Sequence, residues 1–156
     1  MSTGVRRATA GDVPALAALR RSWTEENVGD PVQDPGFEDL FATWFEREAH
    51  QRITWVAEDA GRVVGMLNML VFTRMPRPRS VATARPQQWG YVANVYVLPG
   101  SRERGLGARL LEALTEHADA EGYARLVLSP TERSVPFYGR AGFAPATSLL
   151  LRPGPA

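Results

Sequence analysis

The sequence of 156 residues is 44% hydrophobic, carries a formal net charge of +1 and contains no cysteine. A chain of this length supports one domain with a full core and is short for two, so we expect a single domain over residues 1–156. The near-neutral charge gives no reason to expect nucleic acid or an anionic membrane as a partner. The lack of cysteine excludes disulfides, thiolate metal sites and a cysteine nucleophile.

Metal and membrane chemistry find little support in the sequence. His50 and His117 are the only histidines and lie far apart, so we predict no metal site. No apolar run approaches the roughly 20 residues that span a bilayer, and the N-terminus lacks a basic-then-apolar signal pattern. We expect a soluble, cytoplasmic protein.

The first third of the chain predicts one short strand and two helices. Residues 5–9 read as a strand, and Asp12 followed by Pro14 marks a helix start over 13–25. A Gly- and Pro-containing loop over 27–36 leads to a second helix over 37–49, whose apolar side chains recur at the spacing of one helical face.

A hairpin follows, with strands over 53–58 and 62–72 joined by a tight turn at residues 59–61. Asn68 is the one polar residue of a long apolar run, and a strand bulge or a satisfied core amide is favoured over a substrate contact. Residues 73–88 form a Pro-rich loop carrying Arg74, Arg77, Arg79 and Arg85. A solvated basic loop is the favoured interpretation, and attraction of an acidic acceptor or a cofactor phosphate is the alternative.

The second half predicts a buried central strand over 89–98, apolar on both faces, and a helix over 105–120 with Leu106, Leu110 and Leu114 along one side. A parallel strand over 124–129, a short helix between Ser134 and Gly142, and a last strand or strands over 143–152 complete the prediction.

The connection between the central strand and its helix has the form of an anion site. It is Arg-rich and Gly-spaced, running Arg102-Glu103-Arg104-Gly105-Leu106-Gly107 into Ala108. The first backbone N–H groups of a helix have no internal partner and carry partial positive charge, so a phosphate binds there readily. Glycine permits close approach of a bulky diphosphate, although paired glycines after a strand are also ordinary turn residues.

A second motif, Phe137-Tyr138 followed by Gly142-Phe143, lies downstream of the R-x-x-G-x-G turn. With this order and spacing the sequence resembles the GNAT superfamily of N-acetyltransferases, from residue 5 to about residue 151. The resemblance implies an α/β (α+β) fold. Its central sheet is mixed and mostly antiparallel, with six to seven strands, a splayed parallel strand pair and about four flanking helices.

The resemblance also implies acetyl-CoA as co-substrate, with its pantetheine arm in the strand split and no metal. Backbone groups of Val95 and Val97 would pair with the pantetheine amides, and the Val95 or Tyr96 N–H would polarise the thioester carbonyl. The pyrophosphate would lie on the N–H groups of residues 102–108. Thr131 and Ser134 occupy positions where the family pattern often has Asn and Ala.

Tyr138 matches the family's general acid, with an aromatic core pair beside Phe137 as the alternative. Asn94 stands where many members carry an acid on the central strand; it can orient a water but cannot accept its proton. The general base therefore stays open between carboxylates and a water chain reaching bulk solvent. The carboxylates considered are Glu25, Glu26, Asp39 and Glu58.

The function predicted is acetyl transfer to the primary amine of a small molecule, with a protein N-terminus as a variant acceptor and a homodimer left open. The alternative is a GNAT-like module that binds acyl-CoA as a sensor without turnover. A nucleotide-binding domain of another class is disfavoured, because the sequence has neither a P-loop lysine nor the three-glycine dinucleotide fingerprint.

Overall fold

The computed structural model describes residues 3–78 and 87–156, and one sheet organises them. Its strand order follows the sequence from β1 to β5. The first four strands pair antiparallel, and β4 and β5 pair parallel. The strands are β1 (Gly4–Arg7), β2 (Arg52–Asp59), β3 (Arg62–Thr73), β4 (Gln88–Val97) and β5 (Leu126–Val127).

Four α-helices flank this sheet within the described ranges: α1 (Val13–Val28), α2 (Phe37–Glu48), α3 (Leu106–Ala120) and α4 (Val135–Arg140). The predicted mixed, mostly antiparallel sheet with a parallel pair and about four helices is confirmed. None of the helices in these ranges combines the length and the apolar character that a membrane crossing requires. The part of the predicted arginine loop with Arg79 and Arg85 lies outside the described residues.

The sheet has five strands over the described residues, where the resemblance implied six to seven. The strand predicted over 124–129 is shorter, and residues 143–152 form no strand. Phe143 donates its N–H back to the Tyr138 carbonyl, at 3.1 Å, instead of to a neighbouring strand. Pro145 then removes a donor, and Leu150 and Leu151 are exposed, so this segment has neither a strand partner nor a buried face to order it.

Two apolar clusters cover the two faces of the sheet, as the apolar pattern of the central strand predicted. On one face, strand residues pack against α3, whose buried leucines are Leu106, Leu110, Leu111 and Leu114. On the other face, strand residues pack against α1, and that cluster contains Leu16, Leu19, Val56, Met66 and Tyr96. The sheet is therefore buried on both sides, and its open end lies where β4 and β5 separate.

Candidate active site

A split between β4 and β5 forms one side of the site. The two strands pair only at Gly90 with Leu126 and at Tyr91 with Val127. The Tyr91 hydroxyl donates to Ser129 Oγ at 3.2 Å near the point of separation. Beyond it, no described strand pairs with β4 on this side, so the backbone of Val95 lies along an open edge that an extended ligand can join.

Asn94 forms a β-bulge in β4 beside that edge. Ala93 pairs with Asn68 of β3 and Tyr96 pairs with Met66, so Asn94 and Val95 together oppose one residue of β3. Asn94 has a φ of 55°, the left-handed conformation that asparagine adopts more readily than most residues. The extra residue exchanges the two faces toward which the following side chains of β4 point. Tyr96 therefore faces α1, whereas Val92 faces α3.

The loop between β4 and α3 presents a run of free backbone donors. Among the described residues, no acceptor bonds the N–H groups from Glu103 to Ala108, and no side chain caps the start of α3. Glu103 and Gly105 have φ values of 64° and 74°, which curl the chain so that these groups precede the helix directly. Such consecutive donors at a helix N-terminus form an anion site.

The two glycines of this loop differ in backbone conformation and in surroundings. Gly105 has a positive φ but open space around it, so its conformation is the constraint. At Gly107 a Cβ would lie 3.4 Å from the ring of Phe137, an ordinary van der Waals distance, so the start of α3 lies next to α4 here. That contact places Phe137 and its neighbour Tyr138 beside the start of α3.

Arg102 fastens the loop to α1. Its guanidinium donates to both carboxylate oxygens of Glu26 at 2.8 Å, and its Nε donates to the Val97 carbonyl at 2.8 Å. The Tyr96 hydroxyl also donates to Glu26, at 2.8 Å, and the Tyr96 ring stacks on Trp23 with centroids 5.5 Å apart. The hydrogen bond from Arg102, and after it the one from Tyr96, lowers the pKa of Glu26. Burial, and after it the hydrogen bond to Glu26, raises the pKa of Tyr96 to about 12.

The arginine charge expected at the loop rim is therefore neutralised in this structure. Arg102 is paired with Glu26, and Arg104 reaches Asp59 at the end of β2 at 2.6 Å. Glu103 itself is exposed. The backbone donors, rather than free guanidinium groups, are thus the main feature of this loop that can bind an anion.

Tyr138 lies in α4, next to Phe137, whose ring is close to Gly107. Its ring contacts Phe137 and Phe143 edge-on, with centroids 5.1 Å and 5.9 Å apart. Burial raises its pKa, so the phenol stays protonated at neutral pH. Thr131 and Ser134, at the approach to α4, bond to each other, with Thr131 Oγ1 donating to Ser134 Oγ at 3.0 Å.

A cavity of about 340 Å³ opens between α1, α2 and the sheet. More than half of its lining residues are apolar or aromatic, and most of these come from the apolar face predicted for the second helix. Asn94 and Asn68 mark the wall formed by the sheet, and Arg20 and Arg47 add the charged groups. The apolar lining consists of Leu16, Phe37, Leu40, Phe41, Trp44, Phe45 and Met66.

Asn68 is a satisfied amide, the interpretation that the sequence favoured. Its Oδ1 accepts from Arg52 at 2.8 Å, and its Nδ2 donates to Thr54 Oγ1 at 2.8 Å. Arg52 lies 5.1 Å above the ring of Trp44 and also reaches Glu48. Asn68 nevertheless lines the cavity, so the network holds the wall that an acceptor would face.

None of the four carboxylates considered as a base lines this cavity. Glu25 accepts the N–H of Val32, Glu26 is held by Arg102, and Glu58 pairs with Arg6. Asp39 is likewise absent from the described lining. Within residues 3–78 and 87–156, no group of three or more potential ligands could hold a metal ion.

Comparison with known proteins identifies the family and the fold. The model of the acetyltransferase (GNAT) family matches residues 16–143, which include the split strands, the loop after β4 and Tyr138. The chain belongs to this family. The crystal structure of a predicted acetyltransferase from Clostridium acetobutylicum with acetyl-CoA shares the fold, with a TM-score of 0.73 and 19% identity, over 97% of this chain and 96% of that one.

Two curated relatives are glucosamine 6-phosphate N-acetyltransferases. The protein from Oryza sativa subsp. japonica is 32% identical over 114 residues, or 70% of this chain and 65% of that protein. The protein from Trypanosoma brucei brucei is 29% identical over 86 residues, or 55% of this chain and 54% of that protein. The matches thus span less than two thirds of either relative's own length.

The sequence predicts an anion site in the loop and a role for Tyr138, which stay predictions, but it does not indicate the bulge, Arg20 in the cavity or the partner of Arg102. The bulge has a signal in hindsight, since Asn94 interrupts an apolar strand and asparagine tolerates a positive φ. Arg20 has no such signal in the sequence, because a single arginine on an amphipathic helix is common and does not indicate a binding site. The sequence offers Glu26 only as a candidate base, whereas the structure shows its carboxylate bonded to Arg102.

Proposed function

We propose that this chain transfers the acetyl group of acetyl-CoA to the primary amine of a small molecule. The observation that carries the proposal is the run of N–H groups from Glu103 to Ala108, which have no acceptor among the described residues and lie next to the open edge of β4. Membership of the family and the amine acceptor named for both curated relatives support it. A protein N-terminus is the variant acceptor.

The residues present fit the co-substrate. The donors of the loop would hold the pyrophosphate, and the edge of β4 at Val95 and Val97 would pair with the pantetheine amides. One lone pair of the Val97 carbonyl already accepts from Arg102, which leaves the other free. Thr131 and Ser134 would lie beside this arm, where their mutual hydrogen bond fixes the approach to α4.

Acetyl-CoA supplies an activated thioester, and the chain supplies position and a proton. The amine nitrogen bonds to the acetyl carbon, the carbon–sulfur bond breaks, and the electron pair leaves with sulfur. The Val95 or Tyr96 N–H polarises the carbonyl, and the Tyr138 hydroxyl protonates the departing sulfur. Because no described carboxylate lines the cavity, a water oriented by Asn94 carries the amine's proton toward solvent.

The lack of a base in the described lining also favours a second function, an acyl-CoA-binding module without turnover. Calorimetry with CoA followed by thiol release across a panel of amines separates the two. Binding together with release supports the enzyme, whereas binding without release for any amine supports the sensor. Absence of CoA binding contradicts both.

Tyr138→Phe tests the acid. We expect CoA affinity to change little and turnover to fall about 100-fold, a typical loss for one acid or base. Because burial raises the pKa of Tyr138 above its ordinary value of about 10, any alkaline fall in wild-type turnover caused by this group should begin above that pH. Tyr123→Phe is the matched control, since the Tyr123 ring contacts His117 away from the site. Unchanged turnover in Tyr138→Phe removes it from the mechanism.

A further inference from the structure

The charged groups of the cavity have one sign. Arg20 and Arg47 line it, and no aspartate or glutamate belongs to the lining over residues 3–78 and 87–156. A primary amine is a cation at neutral pH, and two guanidinium groups in a lining whose described residues include no carboxylate repel it. The cavity therefore favours an amine that carries its own anionic group.

Arg20 is the better placed of the two arginines to bind that group. It is half-buried on α1, whereas Arg47 is exposed at the end of α2. Its guanidinium lies 4.9 Å above the ring of Trp23, and its other contact is a long hydrogen bond of 3.4 Å to Thr24. It forms no ion pair with any residue that the structure describes.

The rest of the lining selects an apolar body. Phe41 is at the centre of an aromatic group on α2, with ring centroids 6.0 Å from Phe37, 5.6 Å from Trp44 and 6.4 Å from Phe45. Such a wall stabilises an aliphatic or aromatic group by burial and offers few partners for hydroxyl groups. Its few polar side chains are partly engaged, since Asn68 already bonds to Arg52 and Thr54.

We infer that the acceptor is an α-amino acid with an apolar or aromatic side chain, whose carboxylate binds Arg20 and whose side chain packs on the α2 aromatic group. The inference rests on the proposed function and assigns its substrate class. The amine would face Asn94, because that residue lines the cavity and directly precedes Val95 on the edge of β4. A sugar phosphate, the acceptor named for the curated relatives, has the anion but lacks the apolar body.

Thiol release with matched amines tests the assignment. L-Phenylalanine has both features, 2-phenylethylamine lacks the carboxylate, and L-serine and glucosamine 6-phosphate lack the apolar body. We expect kcat/KM for L-phenylalanine to exceed each of the others by at least about tenfold, the effect of one charge-assisted hydrogen bond or one buried side chain. A rate with 2-phenylethylamine, serine or the sugar phosphate that equals or exceeds that with phenylalanine overturns the inference.

Substitutions test whether Arg20 binds the carboxylate of the acceptor. Arg20→Gln should lower kcat/KM for L-phenylalanine at least about tenfold, mainly through KM, and leave 2-phenylethylamine within about threefold. Arg20→Lys should restore part of the loss, and Arg152→Gln, in the exposed C-terminal segment, should leave both substrates unchanged. Equal losses on both amines, or loss of the preference in Arg47→Gln instead, contradict the role of Arg20.

Binding decides the inference even if no amine releases thiol and the proposed activity fails. Calorimetry of L-phenylalanine with the CoA-loaded protein should show binding that Arg20→Gln weakens at least about tenfold. L-Phenylalanine that does not bind, or that binds wild type and Arg20→Gln equally, overturns the substrate class. The inference and the activity are thus tested by different measurements.

Discussion

The bulge at Asn94 yields the most direct test of how the sequence builds this site. Asn94→Gly keeps a residue that adopts a φ of 55° freely, whereas Asn94→Val places a β-branched side chain in that conformation. We therefore predict that the valine variant is destabilised and that the glycine variant is close to wild type. Asn94→Ala should lie between them.

The expected loss of stability in Asn94→Val follows from the two ways in which the strand could accommodate valine. Holding the left-handed conformation costs an ordinary L-residue roughly 1–2 kcal/mol, and more when the side chain is β-branched. Removing the bulge instead would turn Tyr96 to the other face, losing its stack on Trp23 and its bond to Glu26. We expect a loss of about 2 kcal/mol or more, or a fall in Tm of about 4–8 °C for a chain of this size.

Urea unfolding of the ligand-free protein, followed by the fluorescence of its four tryptophans, measures the effect. Ala93→Val is the matched control, because Ala93 pairs regularly with Asn68 and valine suits an ordinary strand position. A stability of Asn94→Val within about 0.5 kcal/mol of wild type, or a loss in Asn94→Gly as large as in Asn94→Val, refutes the bulge as the constraint. Thiol release by Asn94→Gly then reports on the carboxamide alone, since that variant retains the bulge.

Three further predictions test the loop and the ion pairs. Glu26→Gln should weaken CoA binding several-fold while stability falls by less than about 1 kcal/mol, because the pair with Arg102 is partly exposed. Its kcat at saturating acetyl-CoA should hold, and a collapse of kcat would instead support Glu26 as the base. Gly105→Ala should cost about 1 kcal/mol in urea unfolding and weaken CoA binding, since φ is 74° there, whereas Gly100→Ala, which meets open space without a positive φ, should not. Arg6 holds the pKa of Asp12 at about 2, so stability from this carboxylate is present above about pH 4 and is lost as pH falls toward 2. Asp12→Asn should remove about 1–2 kcal/mol of that acid dependence, discounted for the exposure of Arg6, and an unchanged unfolding profile between pH 2 and 4 would contradict it.

Local pattern was enough to predict most of the elements. The helix stripe of Leu106, Leu110 and Leu114 became the buried face of α3, and the apolar run before the loop became β4, buried from both sides. These signals succeed because burial of one face or of both faces imposes a period that a short segment displays by itself. The same kind of signal was misleading for residues 143–152. Their leucines suggest a strand, but no strand among the described residues pairs with this segment.

The candidate site was predictable only where one residue acts through its own backbone. Gly105 and the helix start after it could be read from spacing, because positive φ and free N–H groups are local properties. The cavity could not, since it is lined jointly by α1, α2 and the sheet, so that Phe41 and Asn94, far apart in sequence, both line it. Neither residue contributes a local signal for that encounter.

Arg102 illustrates that a sequence motif can indicate a residue without indicating the residue to which it is bonded. Its position in R-x-x-G-x-G suggested charge for a phosphate, but its guanidinium is bound by Glu26, 76 positions earlier in the chain. Glu26 also accepts from Tyr96, 70 positions away, which the bulge at Asn94 had to turn toward α1 for that bond to form. One extra residue in β4 thus gives the carboxylate that binds Arg102 a second partner, the Tyr96 hydroxyl. The loop that precedes α3 is held in shape by a helix on the acceptor side of the sheet, and this dependence lies in the fold rather than in any stretch of sequence.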